Sequence, residues 1–160
     1  MPTMTLESPV ELLHYQLRTA LTMEDHSLAA LGELASAAKS SDIKKMFKHH
    51  ADETREQIAN LHEVFKLLEL RDTTAPSPST TGITRQAESL IAKAGDALRD
   101  QVVISCALGN EHYEISAYEG LIIPLTAMGQ SDAVKLLQAN LEQETHTSEE
   151  LRGMLQKLVA

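Results

Sequence analysis

The stretch GNEHYEISAYEGL, residues 109–121, has the pattern of a buried helix, yet two glutamates stand where core residues are expected. Glu111 and Glu114 lie one helical turn apart, and Tyr118 and Leu121 continue the same face. An unpaired charge in a dry core costs several kcal/mol, so a helix does not turn two carboxylates inward without compensation. Protonation, pairing with a lysine or arginine, or a multivalent cation must therefore compensate these two carboxylates.

Composition favours an all-helical protein. The 160 residues suit one domain with a sizeable core, aromatic residues make up only 3%, and there is no tryptophan. The net charge of −9, with no basic run to offset it, argues against nonspecific binding to nucleic acid or to an anionic membrane. The single cysteine, Cys106, excludes an internal disulfide framework, and we expect it to be a small buried hydrophobe.

The beginning of the chain lacks the charged and apolar regions of a signal peptide, and no apolar run approaches the length of a membrane span. A cytoplasmic location is therefore the expectation.

Helical periodicity and capping signals predict four long helices and one short helix. Ser8, Pro9 and Glu11 form a capping-box pattern at the first start, and Gly129 is expected to end a helix before a new cap at Ser131. Pro124 should kink or end its helix. The predicted helices cover residues 9–37, 42–70, 84–97, 99–128 and 132–159, with a Pro-, Ser- and Thr-rich connector over 71–83.

These helices form two antiparallel hairpins joined by a connection long enough to cross the length of a bundle. The predicted fold is an all-α, ferritin-like four-helix bundle with a long crossover that carries the short fifth helix on its outside. The alternative is an up-down bundle without a crossover.

Each long helix carries a carboxylate on its core face near its middle. These residues are Glu24, Glu53, Glu114 and Glu144. Each lies about 15 residues from the turn of its hairpin, or roughly 22 Å at the helical rise per residue, so the four can meet in one layer. Glu111 and His50 lie one turn away from that layer on their own helices.

No Lys or Arg stands on the inward faces near this layer, so protonation or multivalent cations must neutralise the carboxylates. Oxygen ligands with one or two imidazoles suit iron or manganese. Taken singly, a helical glutamate belongs on a solvated face, His50 is a hydrogen-bonded core residue, and Tyr118 is core packing. The matched depth of four glutamates favours a site for two metal ions.

The same residues resemble a known family. EHYEISAY (111–118) and FKHHADETREQIANLHEVFKLL (47–68) are similar to its motifs on helices three and two. LHYQLRTALTMEDHSLAALGELA (13–35) and LLQANLEQETHTSEEL (136–151) are similar to its first and last helices. This is the YciF-type family of ferritin-like stress-response proteins, and the resemblance covers nearly the whole chain.

The resemblance implies a homodimer of five-helix bundles with a rubrerythrin-like dimetal centre, holding two iron ions or, alternatively, manganese. Carried over by residue, Glu24 and Glu114 are the terminal ligands, and Glu53 and Glu144 are the bridging carboxylates. His50 and Glu111 are candidate additional ligands.

The sequence departs from rubrerythrin and from the family pattern in four respects. Helix two has His50 before Glu53, in the reverse of the usual order, and the last helix has Thr147 where a histidine is usual. Ser148 stands where many relatives have aspartate. The rubredoxin-type cysteine domain is absent, so electrons must come from an external donor.

Three functions fit these expectations. The first is a di-iron peroxidase or oxidase that reduces peroxide or dioxygen during stress. The second is a non-enzymatic dimeric bundle that acts as a binding or structural stress protein, with a structural or degenerate metal site. The third, iron storage in a cage, is disfavoured because the resemblance implies dimers.

Overall fold

The structure, a computed structural model, describes residues 4–160. Four long helices form a bundle, and a shorter helix packs outside it against two of them. The helices are α1 (Pro9–Ala37), α2 (Ser41–Leu67), α3 (Pro78–Lys93), α4 (Arg99–Ala127) and α5 (Ser131–Val159), and a short 3-10 helix (Asp96–Leu98) precedes α4. The prediction of an all-α bundle is confirmed.

The start of α1 has the predicted capping box. The Ser8 hydroxyl accepts a hydrogen bond from the Glu11 amide at 3.1 Å, and the Glu11 carboxylate accepts one from the Ser8 amide at 3.1 Å. Pro9 occupies the first helical position, where its missing N–H costs nothing. A local sequence signal therefore fixes where the bundle begins.

The crossover is established by a contact between the start of α4 and the turn between α1 and α2. The Asp100 carboxylate accepts hydrogen bonds from the amides of Lys39 at 2.6 Å and Ser40 at 3.1 Å. Because α2 begins at this end of the bundle and runs away from it, the chain must return before α4 can begin here. The segment between α2 and α4 therefore spans the bundle, and the alternative without a crossover is wrong.

This segment runs along α1 in the same direction as that helix. His14 Nε2 lies 2.8 Å from the Arg71 carbonyl oxygen. Three turns further along α1, His26 Nδ1 lies 2.8 Å from Thr80 Oγ1 at the start of α3. As a result, α3 packs over α1 and α4 on the outside of the bundle, as predicted.

The boundaries of the connector and of α3 differ from the prediction. The connector was expected over 71–83 and the helix over 84–97, but α3 begins at Pro78 and ends at Lys93. Pro78 suits the first turn of a helix, and Thr80 is buried against α1, so tertiary contact outweighs the low helix propensity of this stretch. Cys106, expected in the core, is only half-buried on α4.

The first hairpin also differs at its ends. The cap of α2 is Ser40 rather than Ser41, and the amide of Ser40 is held by α4 and not by a local side chain. The helix ends at Leu67 instead of residue 70. Glu69 has a φ of 55°, in the left-handed region, which cannot continue a right-handed helix.

The second hairpin turn contains the predicted glycine. Gly129 has a φ of 72°, which glycine adopts without steric cost. Its neighbour Gln130, rather than Ser131, stands at the cap of α5. Pro124 lies inside α4. The helix continues to Ala127, so the proline does not end it.

The apolar core has two separate clusters with a polar layer between them. The first cluster is centred on Leu17, Met23, Leu61, Phe65, Tyr118, Leu121 and Leu137. The second is centred on Leu31, Met46, Phe47, Val103, Ile104 and Leu151. Among the helices of residues 4–160, none combines the length and apolar character that crossing a membrane requires.

Candidate metal centre

Three glutamates from three helices meet in the polar layer. Glu24 of α1, Glu114 of α4 and Glu144 of α5 are all buried. Each offers a carboxylate oxygen that lies within 4.8 Å of an oxygen offered by each of the others. These three glutamates therefore meet near the middle of the bundle, as their positions in the sequence predict.

Glu111 adds a fourth carboxyl beside this group. It is buried one turn before Glu114 on α4, and Glu144 is the neighbour that affects it most strongly through hydrogen bonding and charge. No lysine or arginine forms an ion pair with any of these four carboxyls among the described residues. The layer therefore holds acidic side chains without a protein cation.

The ionisation of three of these groups is disfavoured. Burial is the main reason that the pKa of Glu24, Glu111 and Glu114 stands well above its ordinary value. Glu144 is the neighbour that raises the pKa of each one further. In the absence of a cation these carboxyls therefore keep their protons to a higher pH than an exposed glutamate does, and a bound cation would displace such protons.

Several buried polar atoms in the layer have no hydrogen-bond partner in the protein. They are Glu24 Oε2, Glu111 Oε2, Glu114 Oε1, Gln57 Oε1 and His50 Nε2. Buried polar atoms nearly always have a partner, and a cation bound between these groups could serve as one. Carboxylate oxygens with one imidazole nitrogen form a donor set that suits iron or manganese, and the residues present fit such ions.

Tyr118 fixes one side of the centre. Its hydroxyl donates a hydrogen bond to Glu24 Oε1 and accepts one from Asn140 Nδ2 at 3.2 Å. Burial, and then the charge of Glu24, raise the pKa of Tyr118 well above its ordinary value, so the hydroxyl keeps its proton and remains a donor. Asn140 also donates to the Gln57 carbonyl at 3.2 Å, which links α4, α5 and α2.

The two predicted ligands on α2 lie beside the close group and bond to each other. The Glu53 side chain is 16% exposed, and its Oε1 lies 3.0 Å from His50 Nδ1 and 3.2 Å from His49 Nε2. His50 itself is buried, and its Nε2 lies 3.9 Å from Glu150 Oε2. The charge of Glu53 still contributes to the raised pKa of Glu111, so the two groups are neighbours.

Of the six residues predicted as metal ligands, the structure therefore brings Glu24, Glu114 and Glu144 close together, with Glu111 beside them. Glu53 and His50 lie on one side of this group. His49 is exposed, and its contact with Glu53 follows from their spacing of four residues on one helix, which was a usable signal in the sequence. No pattern in the sequence pointed to Glu150, which approaches His50 from a different helix.

A helical bundle with one long crossover and a buried cluster of carboxyls belongs to the ferritin-like class. Within that class, the chain is a member of the family described as a domain of unknown function, DUF892, whose model matches residues 8–160. The chain is 27% identical over 153 residues to protein YciF of Escherichia coli K12. The alignment covers 94% of this chain and 92% of YciF.

Solved structures agree with this assignment. The E. coli stress protein YciF has a TM-score of 0.92 at 26% identity, over 96% of this chain and 98% of that one. YcfI of Rhodopseudomonas palustris, described as a structural protein, has a TM-score of 0.90 at 27% identity, over 95% and 98%. A protein from Xanthomonas campestris shares the fold. Its TM-score is 0.76 at 21% identity, over 93% of this chain and 92% of that one.

Proposed function

We propose that this chain is a dimetal carboxylate protein that reduces peroxide or dioxygen. Glu24, Glu111, Glu114 and Glu144 would hold two iron ions, with manganese as the alternative. The concentration of buried ligand atoms without protein partners carries this proposal. Glu53 and His50 stand next to the group and would complete the ligand set on the side of α2.

A pair of ferrous ions held there would supply the two electrons that, with two protons, convert one hydrogen peroxide into two water molecules, and would end as ferric ions. The chain supplies the surroundings for that reaction. The two apolar clusters exclude bulk water from both sides of the layer. Tyr118 orients Glu24 through its hydrogen bond and remains protonated. An external electron donor is needed, since the chain has one cysteine and no cysteine cluster of its own.

The family relationship supports a role in stress. YciF of E. coli is described as a stress protein, and removal of peroxide would serve such a role. The proposed oxidants are small enough to reach a buried centre, whereas a macromolecular substrate is not.

The test is the metal content of protein purified without chelators. We expect about two metal ions per chain, because paired ions are the form in which helical bundles hold such carboxylate sites. The variant Glu114→Gln should lose metal, while Glu119→Gln, an exposed glutamate on the same helix, should retain it. Ferrous ions loaded without oxygen should then be oxidised rapidly by peroxide. Wild-type protein that retains no metal would contradict the proposal.

A second candidate is a structural or binding bundle. It is favoured by the description of YcfI as a structural protein and by the raised pKa values, which allow the carboxyls to remain neutral without metal. Bound metal without oxidation of substrate would favour this alternative. The homodimer also stays a prediction, which light scattering of the purified protein would check.

A further inference from the structure

A partly enclosed cavity lies beneath α3, where this helix packs over α1 and α4. Its volume is about 30 Å³. A single water molecule needs roughly 10–15 Å³ measured in this way, so the space accommodates a molecule of two heavy atoms. The wall is mainly apolar, and its apolar members include Leu31, Leu34, Ile83, Ala87 and Ile91.

The cavity reaches the candidate metal centre through one residue. Glu111 lines it, and only 4% of this residue is exposed. Glu111 is also the neighbour of Glu144 in the acidic layer, so this residue belongs both to the wall of the cavity and to the candidate metal centre. At the outer side, Glu33 and Glu88 are exposed on α1 and α3.

The cover of the cavity is held in place by a polar contact. His26 Nδ1 lies 2.8 Å from Thr80 Oγ1, and the Thr80 hydroxyl also lies 2.6 Å from Ser77 Oγ. These bonds fix the start of α3 on α1, so the helix covers the cavity without being part of the four-helix core.

We propose that the cavity beneath α3 is the access site through which a small neutral oxidant reaches Glu111 and the metal centre. The inference rests on the proposed function. An apolar wall admits dioxygen or neutral peroxide at little cost, whereas a hydrated cation would have to give up water ligands that this wall does not replace.

The structure provides a matched pair of variants on α3. Ala87 lines the cavity, whereas Ala92 is exposed on the same helix and lies outside it. Ala87→Leu should fill the space, and Ala92→Leu should leave it open. Ala30→Leu, on the wall formed by α1, provides a second way of filling the cavity if Ala87→Leu disturbs the packing of α3.

The first measurement needs no metal. Crystals pressurised with xenon should show xenon beneath α3 in the wild type and in Ala92→Leu, because small apolar cavities bind this gas. The site should be lost in Ala87→Leu and in Ala30→Leu. Absence of xenon from the wild-type cavity would overturn the inference, whatever the metal content of the protein.

The second measurement uses protein loaded with ferrous ions and mixed in separate experiments with dioxygen and with hydrogen peroxide. Variants in which the cavity is filled should bind as much iron as the wild type. One or both oxidants should oxidise that iron several-fold more slowly than in the wild type. The oxidant whose rate falls is the one that uses the cavity. Equal rates in Ala87→Leu and Ala92→Leu with both oxidants would overturn the access site and leave the proposed function intact. Failure of every protein to bind iron would overturn both.

Discussion

Glu24 shows how a single side chain can be both fixed and available. One of its oxygens accepts the Tyr118 hydrogen bond, and that hydroxyl is itself held by Asn140. The other oxygen is buried without a protein partner. The first bond restricts the rotamers of the carboxyl, and the free oxygen is then presented to the layer. Such preorganisation is what a metal ligand needs from its neighbours.

The Tyr118 hydroxyl can be tested directly. In metal-free protein, Tyr118→Phe should destabilise the fold by about 1–3 kcal/mol, because Glu24 Oε1 is left buried without its donor. Urea denaturation gives the free energy of unfolding. Tyr113→Phe, from a half-buried tyrosine on the same helix, is the control and should change stability little. Equal losses in the two variants would show that the hydroxyl does not stabilise the centre.

At the scale of the element, α4 joins the site to the topology. It carries Glu111, Glu114 and Tyr118 on one face, and its first turn holds the connection between α1 and α2 through Asp100. A helix that was free at its start could slide or tilt relative to the first hairpin. The contact at Asp100 fixes the height of α4, and therefore the height at which its glutamates meet Glu24.

Asp100→Ala should consequently lower the free energy of unfolding by roughly 1.5–3 kcal/mol, the range for hydrogen bonds to a charged group, with the lower end expected at this partly exposed position. Asp132→Ala is a matched control, since Asp132 also stands in the first turn of its helix and shares any helix-dipole effect. Thermal or urea unfolding measures the difference. If Asp100→Ala and Asp132→Ala lower the free energy of unfolding equally, the contact of Asp100 with the turn between α1 and α2 contributes nothing beyond the helix-dipole effect.

At the scale of the whole molecule, the acidic layer divides the core into two apolar clusters. The helices of the bundle are 27 or 29 residues long, so mid-height is about the same distance from either end at the helical rise per residue. Glutamates counted from turns at opposite ends of the bundle therefore reach the same level. The cost is a layer of buried acids that weakens the metal-free protein when they ionise.

The dependence of stability on pH follows from the raised pKa values. The folded protein holds protons on Glu24, Glu111 and Glu114 more tightly than the unfolded chain does. Their contribution is therefore complete below about pH 4.3, the ordinary glutamate value, and is lost as the pH rises through the folded pKa values. As the pH rises from about 4.3 through the neutral range, metal-free wild-type protein should lose stability more steeply than Glu114→Gln does.

Urea denaturation of chelator-treated protein across that range measures this dependence. Glu119→Gln, which changes an exposed glutamate, should follow the wild type. Addition of ferrous or manganous ions near neutral pH should restore stability to the wild type, because a ligand that binds only the folded state stabilises it. Parallel profiles for wild type and Glu114→Gln would show that this glutamate does not titrate with folding.

The sequence by itself determined the helices and the faces that they turn inward. Helical periodicity, the capping box at Ser8 and the glycine at 129 are local signals, and they act between residues within a few positions of one another. The number of residues between each glutamate and the turn of its hairpin was enough to predict that Glu24, Glu114 and Glu144 lie at one level of the bundle.

Only the tertiary structure decided the details that depend on contact between helices. Thr80 meets His26 of α1, and this contact extends α3 into a stretch with the composition of a loop. Glu53 contacts His49 and His50 of its own helix and lies beside the close group of carboxyls. The cavity beneath α3 exists only because that helix covers α1 and α4. The start of α3 and the cavity depend on neighbours from a different helix, which no local pattern encodes. Glu53 instead pairs with histidines of its own helix, and only the packed bundle decides between these histidines and the carboxyls of the other helices.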